Sequence, residues 1–218
     1  MKRIIFICEG QTEQAFCNTN LQTLFQTKEI YIQTPLIKHS KGGIVKWSIL
    51  KQQIETHLKS DRNAFVTTFI DYYGLYSKYQ FPNWEIAERI QDKNIRMDSI
   101  EKGMNESIAD DLQHRFIPYL QLHEFEGLLF NELRIFYEQI PIGDIVNKEE
   151  LEKTFETFQN PEMINNNRNT SPSHRLMRII RGYNKVVYGD ILAEAIGLTK
   201  IRDKSPRFNN WISRLENI

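Results

Sequence analysis

The sequence predicts an α/β fold in which a mostly parallel sheet is flanked by helices and followed by a C-terminal helical extension. Three observations carry that expectation. Short apolar or β-branched runs at 3–8, 30–37, 64–70 and 116–122 alternate with segments whose apolar residues recur at helical spacing, the order that builds a layered parallel sheet. The first run, RIIFIC, has no polar interruption after its arginine, as expected of a strand covered on both faces. Its 218 residues suit one sizeable domain or one domain with a small appendage, divided here as an α/β core at 1–145 and a helical extension packed on it at 146–218.

Taken in order, Gly10 permits a tight turn after the first strand, and Thr12 caps a helix that carries Ala15, Phe16, Leu21, Leu24 and Phe25 to about residue 27. Residues 30–37 form the second strand. Lys41-Gly42-Gly43 then breaks the chain before a helix with Val45, Trp47, Leu50, Ile54 and Leu58 near helical spacing. AFVTTFI at 64–70 is β-branched and aromatic, a central strand that ends at Asp71. Pro82-Asn83 opens a helical stretch to about residue 113, broken near 93–96 or at Gly103. After a strand at 116–122, the apolar tail of HEFEGLLF at 123–130 is expected to start a helix. Residues 147–158 are amphipathic, and NPEMINNNRNTSPSH at 160–174 is linker-like. Ser171-Pro172 and Ser205-Pro206 have the cap-then-proline form of helix starts, and the final helix places Trp211, Ile212 and Leu215 on one face. No internal repeat is visible.

Composition excludes several classes. Hydrophobic residues at 40% with 26% charged residues and no low-complexity tract argue for a packed interior rather than disorder. The apolar opening stops at Cys8, too short for a signal-peptide core, and no later run approaches the ~20 apolar residues of a membrane span. A cytoplasmic protein without a membrane partner is therefore expected. Cys8 and Cys17 form no CxxC and read as buried thiols; His39, His57, His114, His123 and His174 show no zinc-ligand spacing. Net charge is zero but uneven, −6 over residues 1–167 and +6 over 168–218. That split fits an internally complementary surface, or a site where metal-binding acids meet a polyanion held by arginines.

In open α/β sheets the ligand crevice lies beyond the carboxyl ends of the strands, where Glu9, Asp71 and Glu124 all fall. Singly, each reads as a turn cap or surface charge. Together they would repel one another and take up protons unless a cation compensated, and hard oxygen ligands of this kind suit Mg²⁺ or Mn²⁺.

CEGQTEQAF at 8–16 resembles the Glu-Gly-x-Thr-Glu opening of toprim-like domains. With FIDYYGL (69–75), HEFEGLLF, NTSPSHRL (169–176) and IRDKSPRFNNWI (201–212), the chain resembles, over nearly its whole length, one bacterial family of unknown function within that group. The resemblance implies a Rossmann-like toprim core, association with ATPases of the ABC/SMC or AAA type in bacterial defence loci, and metal-dependent nuclease activity. Glu9 matches the glutamate that follows the first strand in toprim enzymes, and Asp71 the opening aspartate of their Asp-x-Asp pair. Tyr73 stands where the second aspartate would be. Glu124 or Glu126 is left to replace it, Glu124 being nearer the strand end.

The expected activity is hydrolysis of DNA or RNA, with Mg²⁺ or Mn²⁺ held by Glu9, Asp71 and Glu124 or Glu126 and with Glu13 as supporting residue or general base. Glu13 also reads as an ordinary favourable charge at a helix N-terminus. Arg175, Arg178 and Arg181 at i, i+3 and i+6, with Lys185 beyond, form a stripe that follows a phosphate backbone or is simply a solvated face. Arg175 is the one expected to point inward and act catalytically, and Lys46 and Arg202 are weaker substrate contacts. Tyr72, Tyr73, Tyr76 and Tyr79 either stack on bases or cover the sheet end. No Walker A loop is present, so any ATPase is a separate chain. Ser173-His174 makes no triad. The alternative is a noncatalytic subunit that binds nucleic acid or the ATPase; a phosphatase-like use of the same acids and a homo-oligomeric state both stay open.

Overall fold

The computed structural model describes residues 2–40, 43–164, 167 and 169–218. The break expected at Lys41-Gly42 and part of the linker-like stretch, Asn165, Asn166 and Arg168, lie outside the described residues.

The strands are β1 (Lys2–Cys8), β2 (Ile30–Gln33), β3 (Ala64–Asp71), β4 (Phe116–Ile117) and β5 (Leu120–Gln121). They form a parallel sheet in the order β2-β1-β3-β4, with β5 continuing beside β3 after β4. β1 lies between β2 and β3, which accounts for its uninterrupted apolar run. Its side chains alternate between two cores: Ile4, Phe6 and Cys8 face one, Ile5 and Ile7 the other. The fold is the expected mostly parallel α/β arrangement, consistent with a Rossmann-like core.

On the face of Ile5 and Ile7 pack α3 (Trp47–Ser60), α4 (Trp84–Ala87) and α5 (Lys93–Glu106). The helical stretch expected from Pro82 breaks between α4 and α5, where the Asp92 side chain accepts from the backbone N–H groups of Asn94 and Ile95 and restarts the helix. Gly103 does not break that helix; it lies within it, where a Cβ would come within 3 Å of Pro82 and Asn83.

The opposite face is covered from both ends of the chain. The first crossover is α1 (Gln11–Phe16), a π-helical turn at Cys17–Leu21, and α2 (Gln22–Gln26), where one regular helix was expected. Beside it lie α6 (Leu133–Gln139), α7 (Lys148–Thr157), α8 (Pro172–Ile179), α9 (Lys185–Ile196), α10 (Leu198–Lys204) and α11 (Pro206–Glu216). Trp211 of α11 stacks on Tyr119 at 4.0 Å, meets Phe6, Phe69 and Phe208, and donates its indole N–H to Thr67 Oγ1 of β3 at 2.8 Å. The C-terminal helices thus supply one wall of the sheet's own core.

Three expected elements differ, each for a local reason. The strand at 30–37 ends at Gln33; Pro35, without an N–H, leaves only a bridge between Leu36 and Cys8. The strand at 116–122 is split by Pro118 into β4 and β5. HEFEGLLF makes a 3₁₀ turn, Phe125–Leu129, rather than an α-helix, with Gly127 pressed so closely under Pro161 that a Cβ would lie 3.1 Å from its carbonyl oxygen. Among the described residues no helix is long and apolar enough to cross a membrane.

Candidate functional site

Parallel register brings the carboxyl ends of three strands together. Cys8 lies beside Phe69 and Asp71 beside Gln121, so Glu9, Asp71 and the segment His123–Glu126 emerge at one edge of the sheet. Glu9 donates its N–H to Phe69 O at 3.1 Å, and its Oε2 accepts the N–H of Asp71 at 3.1 Å. Asp71 in turn accepts the N–H of Phe125 at 2.8 Å, tying β3 to the turn that carries Glu126. Glu13, buried in the first turn of α1, accepts the N–H of Gly10 at 2.8 Å, and a Cβ on Gly10 would sit 3.2 Å from that carboxylate. The Glu-Gly-x-Thr-Glu pattern therefore has a local reason: glycine leaves room for a glutamate folded back onto the turn.

Lys185 arrives from α9. That helix approaches α1 closely enough that a Cβ on Gly189 would lie 3.1 Å from Thr12 Cγ2, and its first residue places Nζ 2.9 Å from Glu126 Oε1. One lysine among several carboxylates leaves the corner short of positive charge. Burial, then Glu13, pushes the Glu9 carboxyl up to about 8, against the opposing pull of the Asp71 N–H and Lys185. Burial pushes Glu13 up to about 7, with Glu126 adding to it and the N–H of Gly10 opposing it. Burial and then Glu13, Glu9, Glu126 and Glu124 hold Asp71 well above the usual carboxylate range. Glu126 is raised by burial, Lys185 opposing, while burial works against the Lys185 charge and Glu126 more than restores it, keeping the ammonium above its ordinary range.

Glu124 has a different occupation. Both its oxygens are engaged by Ser173, through the backbone N–H at 2.8 Å and the hydroxyl at 2.9 Å, so it caps the start of α8. Ser173→Ala should cost about 1–2 kcal/mol, because a buried carboxylate loses a charge-assisted hydrogen bond; a lowered urea midpoint at unchanged m-value is the readout. Among the described residues no three His, Cys, Asp or Glu side chains are grouped as a ready metal-ligand set. The donor chemistry nonetheless fits a hard divalent cation: oxygens only, with burial first and neighbouring carboxylates after it raising the proton affinity of Glu9, Glu13, Asp71 and Glu126.

The basic stripe does not converge on this corner as a unit. Arg175 donates to Thr170 O and Thr154 Oγ1, and Arg178 pairs with Glu150. Arg202 is held by Asn209, Ser213 and Glu216. Arg181 and Lys46 are exposed, and of the residues expected to meet the substrate phosphates Lys185 alone stands among the acids. Sequence reading missed Tyr183, whose buried hydroxyl has no partner among the described residues and is held above its usual range by burial and then by Glu126 and Glu124. It also missed His123 as a site residue, and the cations of α5, whose signal is only their spacing behind Asp92.

The family described as Domain of unknown function (DUF4276) matches residues 8–216. The chain belongs to that family. No curated protein and no solved structure matches it. The matched span includes every carboxylate of the site, Glu9 to Glu126, together with Lys185.

Proposed function

We propose that the chain is a metal-dependent phosphodiesterase acting on DNA or RNA, with its centre at Glu9, Asp71 and Glu126. The observation that carries the reading is the convergence of these carboxylates with Glu13 at the carboxyl ends of adjacent parallel strands, compensated among the described residues by Lys185 alone. When bound, Mg²⁺ or Mn²⁺ supplies Lewis-acid polarisation of the phosphodiester and a more acidic water. Glu9, Asp71 and Glu126 would hold it. Glu13, with a carboxyl near 7 and Oε2 on the Gly10 N–H, is suited to take a proton from the attacking water at Oε1 close to neutral pH. Lys185 holds Glu126 in place and adds positive charge where the phosphoryl group becomes more anionic.

A second reading, a noncatalytic subunit that binds nucleic acid or an ATPase, is favoured by two observations: Glu124 is committed to Ser173, and Tyr73 stands where toprim enzymes have their second aspartate. The resemblance to toprim-like proteins also supports a separate ABC/SMC- or AAA-type ATPase as partner and a place in bacterial defence. Co-purification of the chain with an ATPase of either type would support that extension, and its absence across both types would remove it.

Cation binding separates the readings before any substrate is known. Mn²⁺ should raise the melting temperature more at pH 8 than at pH 5.5, because at the lower pH the cation must displace protons held on Glu9 and Glu13, whereas at pH 8 those protons have largely left and the cation offsets the exposed repulsion. No shift at either pH would remove the metal, and labelled single-stranded and duplex DNA and RNA left uncut with Mn²⁺ would leave the binding subunit.

A further inference from the structure

A phosphate brought to this corner needs cations not already neutralised by carboxylates, and the helix expected to provide them, α8, has spent two of its arginines on Glu150. The opposite face of the sheet supplies two others. Lys93 and Arg96 stand one turn apart at the start of α5, both half-buried, and neither has a carboxylate within ion-pair distance among the described residues. Lys93 Nζ instead lies 2.9 Å from His123 Nε2, while Arg96 donates to Ile90 O and, at 3.3 Å, to Tyr72 Oη. Tyr72 directly follows Asp71, and His123 directly precedes Glu124. The same two loops are joined by the N–H of Tyr73 donating to His123 O at 2.8 Å. Both cations are thus anchored to the backbone segments that carry the carboxylates.

His123 is an unusual anchor. It is 1% exposed and adopts a left-handed backbone with φ 68°, a conformation that costs a non-glycine residue free energy and that clusters at functional sites. With Lys93 donating to Nε2, the neutral ring carries its proton on Nδ1, which has no partner among the described residues. Holding an ammonium with a neutral imidazole positions the charge without cancelling it, whereas Glu150, Glu101 and Glu216 cancel the arginines they hold.

We propose that Lys93 and Arg96, with His123 as the residue that positions Lys93, form a phosphate-binding subsite beside the carboxylate cluster. The proposal deepens the phosphodiesterase reading and rests on it for the polymer, while the cation pair itself is tested without catalysis. The shared ligand chemistry is a phosphate oxyanion, from a nucleic-acid backbone or from a free phosphate.

The test uses the full chain in EDTA, with fluorescent oligo(dT) and oligo(rU) of about 12 nucleotides, titrated between about 50 and 200 mM KCl. The double variant Lys93→Gln/Arg96→Gln is expected to bind at least about tenfold more weakly and to flatten the slope of log affinity against log salt by about 1.4, two single-strand phosphate contacts' worth. Lys93→Arg should retain the wild-type slope, and Arg178→Gln should leave affinity and slope unchanged. Should the double variant lose its native melting transition, Arg96→Gln alone gives the same reading at about half the slope change. Inorganic phosphate that displaces neither oligonucleotide but raises the melting temperature of the wild type and not of the variant would assign the subsite to a free phosphate. Wild-type affinity and slope in the folded double variant or in Arg96→Gln, or a wild-type chain that binds neither oligonucleotide nor inorganic phosphate, would overturn it. Loss of binding in the variants of a chain that cleaves nothing would keep the subsite and discard only the hydrolysis.

Discussion

Glu9→Gln and Asp71→Asn are each expected to lower Mn²⁺-dependent cleavage by about 10³-fold while raising the melting temperature of the metal-free protein at pH 8 by roughly 4–8 °C. The two halves of the result have one cause. Both substitutions keep the hydrogen-bond acceptor that the structure uses, Glu9 toward the Asp71 N–H and Asp71 toward the Phe125 N–H, so the turns stay closed. What is lost is a negative charge from a corner where the carboxyls of Glu9 and Glu13 are raised to about 8 and 7. A raised carboxyl binds more protons folded than unfolded, so metal-free stability falls as pH rises from about 4.5 through 8 and is unaffected below that window. Either variant should flatten this fall, on the order of 2 kcal/mol at pH 8, as expected where function holds like charges together. Melting curves at pH 5, 6.5 and 8 in EDTA, paired with cleavage assays in Mn²⁺, check both halves. Cleavage that survives both substitutions would reject the site, and lowered rather than raised stability would reject its electrostatics.

Trp211→Ala carries the second large effect, a loss of about 3–5 kcal/mol, which for a chain of this size lowers the melting temperature by roughly 6–20 °C. The indole joins the last helix to the centre of the sheet. It stacks on Tyr119 at the sheet edge, touches Phe6 of β1 and Phe69 of β3, and satisfies Thr67 inside the core. Truncation opens a void between layers that a rigid sheet cannot close. Trp211→Phe retains the ring contacts and loses only the N–H donor, so it should cost about 1–2 kcal/mol. Urea denaturation of both variants distinguishes the contributions; a loss below about 1 kcal/mol for Trp211→Ala would mean that the C-terminal helices do not help hold the sheet.

The apolar run of β1 and the β-branched run of β3 were legible because strands covered on both sides must bury every residue, and that requirement is written in the strand itself. Where Pro35 and Pro118 cut the ladder was missed by reading unbroken strands at 30–37 and 116–122: proline forbids a donor, yet whether the chain resumes beyond it depends on the neighbouring strand. The placement of Glu9 and Asp71 at one edge followed from the parallel arrangement itself. The partner of Glu124 did not. Ser173 lies 49 residues away on a helix whose position depends on how the C-terminal half folds back over the sheet.

The sequence by itself determined the alternation of strands and helices, the two-faced cover of the sheet and the strand ends at which carboxylates emerge, since each follows from short-range spacing and burial. The tertiary structure decided which charges remain available there. Helical spacing put Arg175 and Arg178 on one face but could not show that Glu150 would meet them, or that Lys93 and Arg96 would reach the Asp71 edge from the far side of the sheet. Whether a charge is cancelled depends on neighbours distant in the chain, and only the packed molecule contains that information.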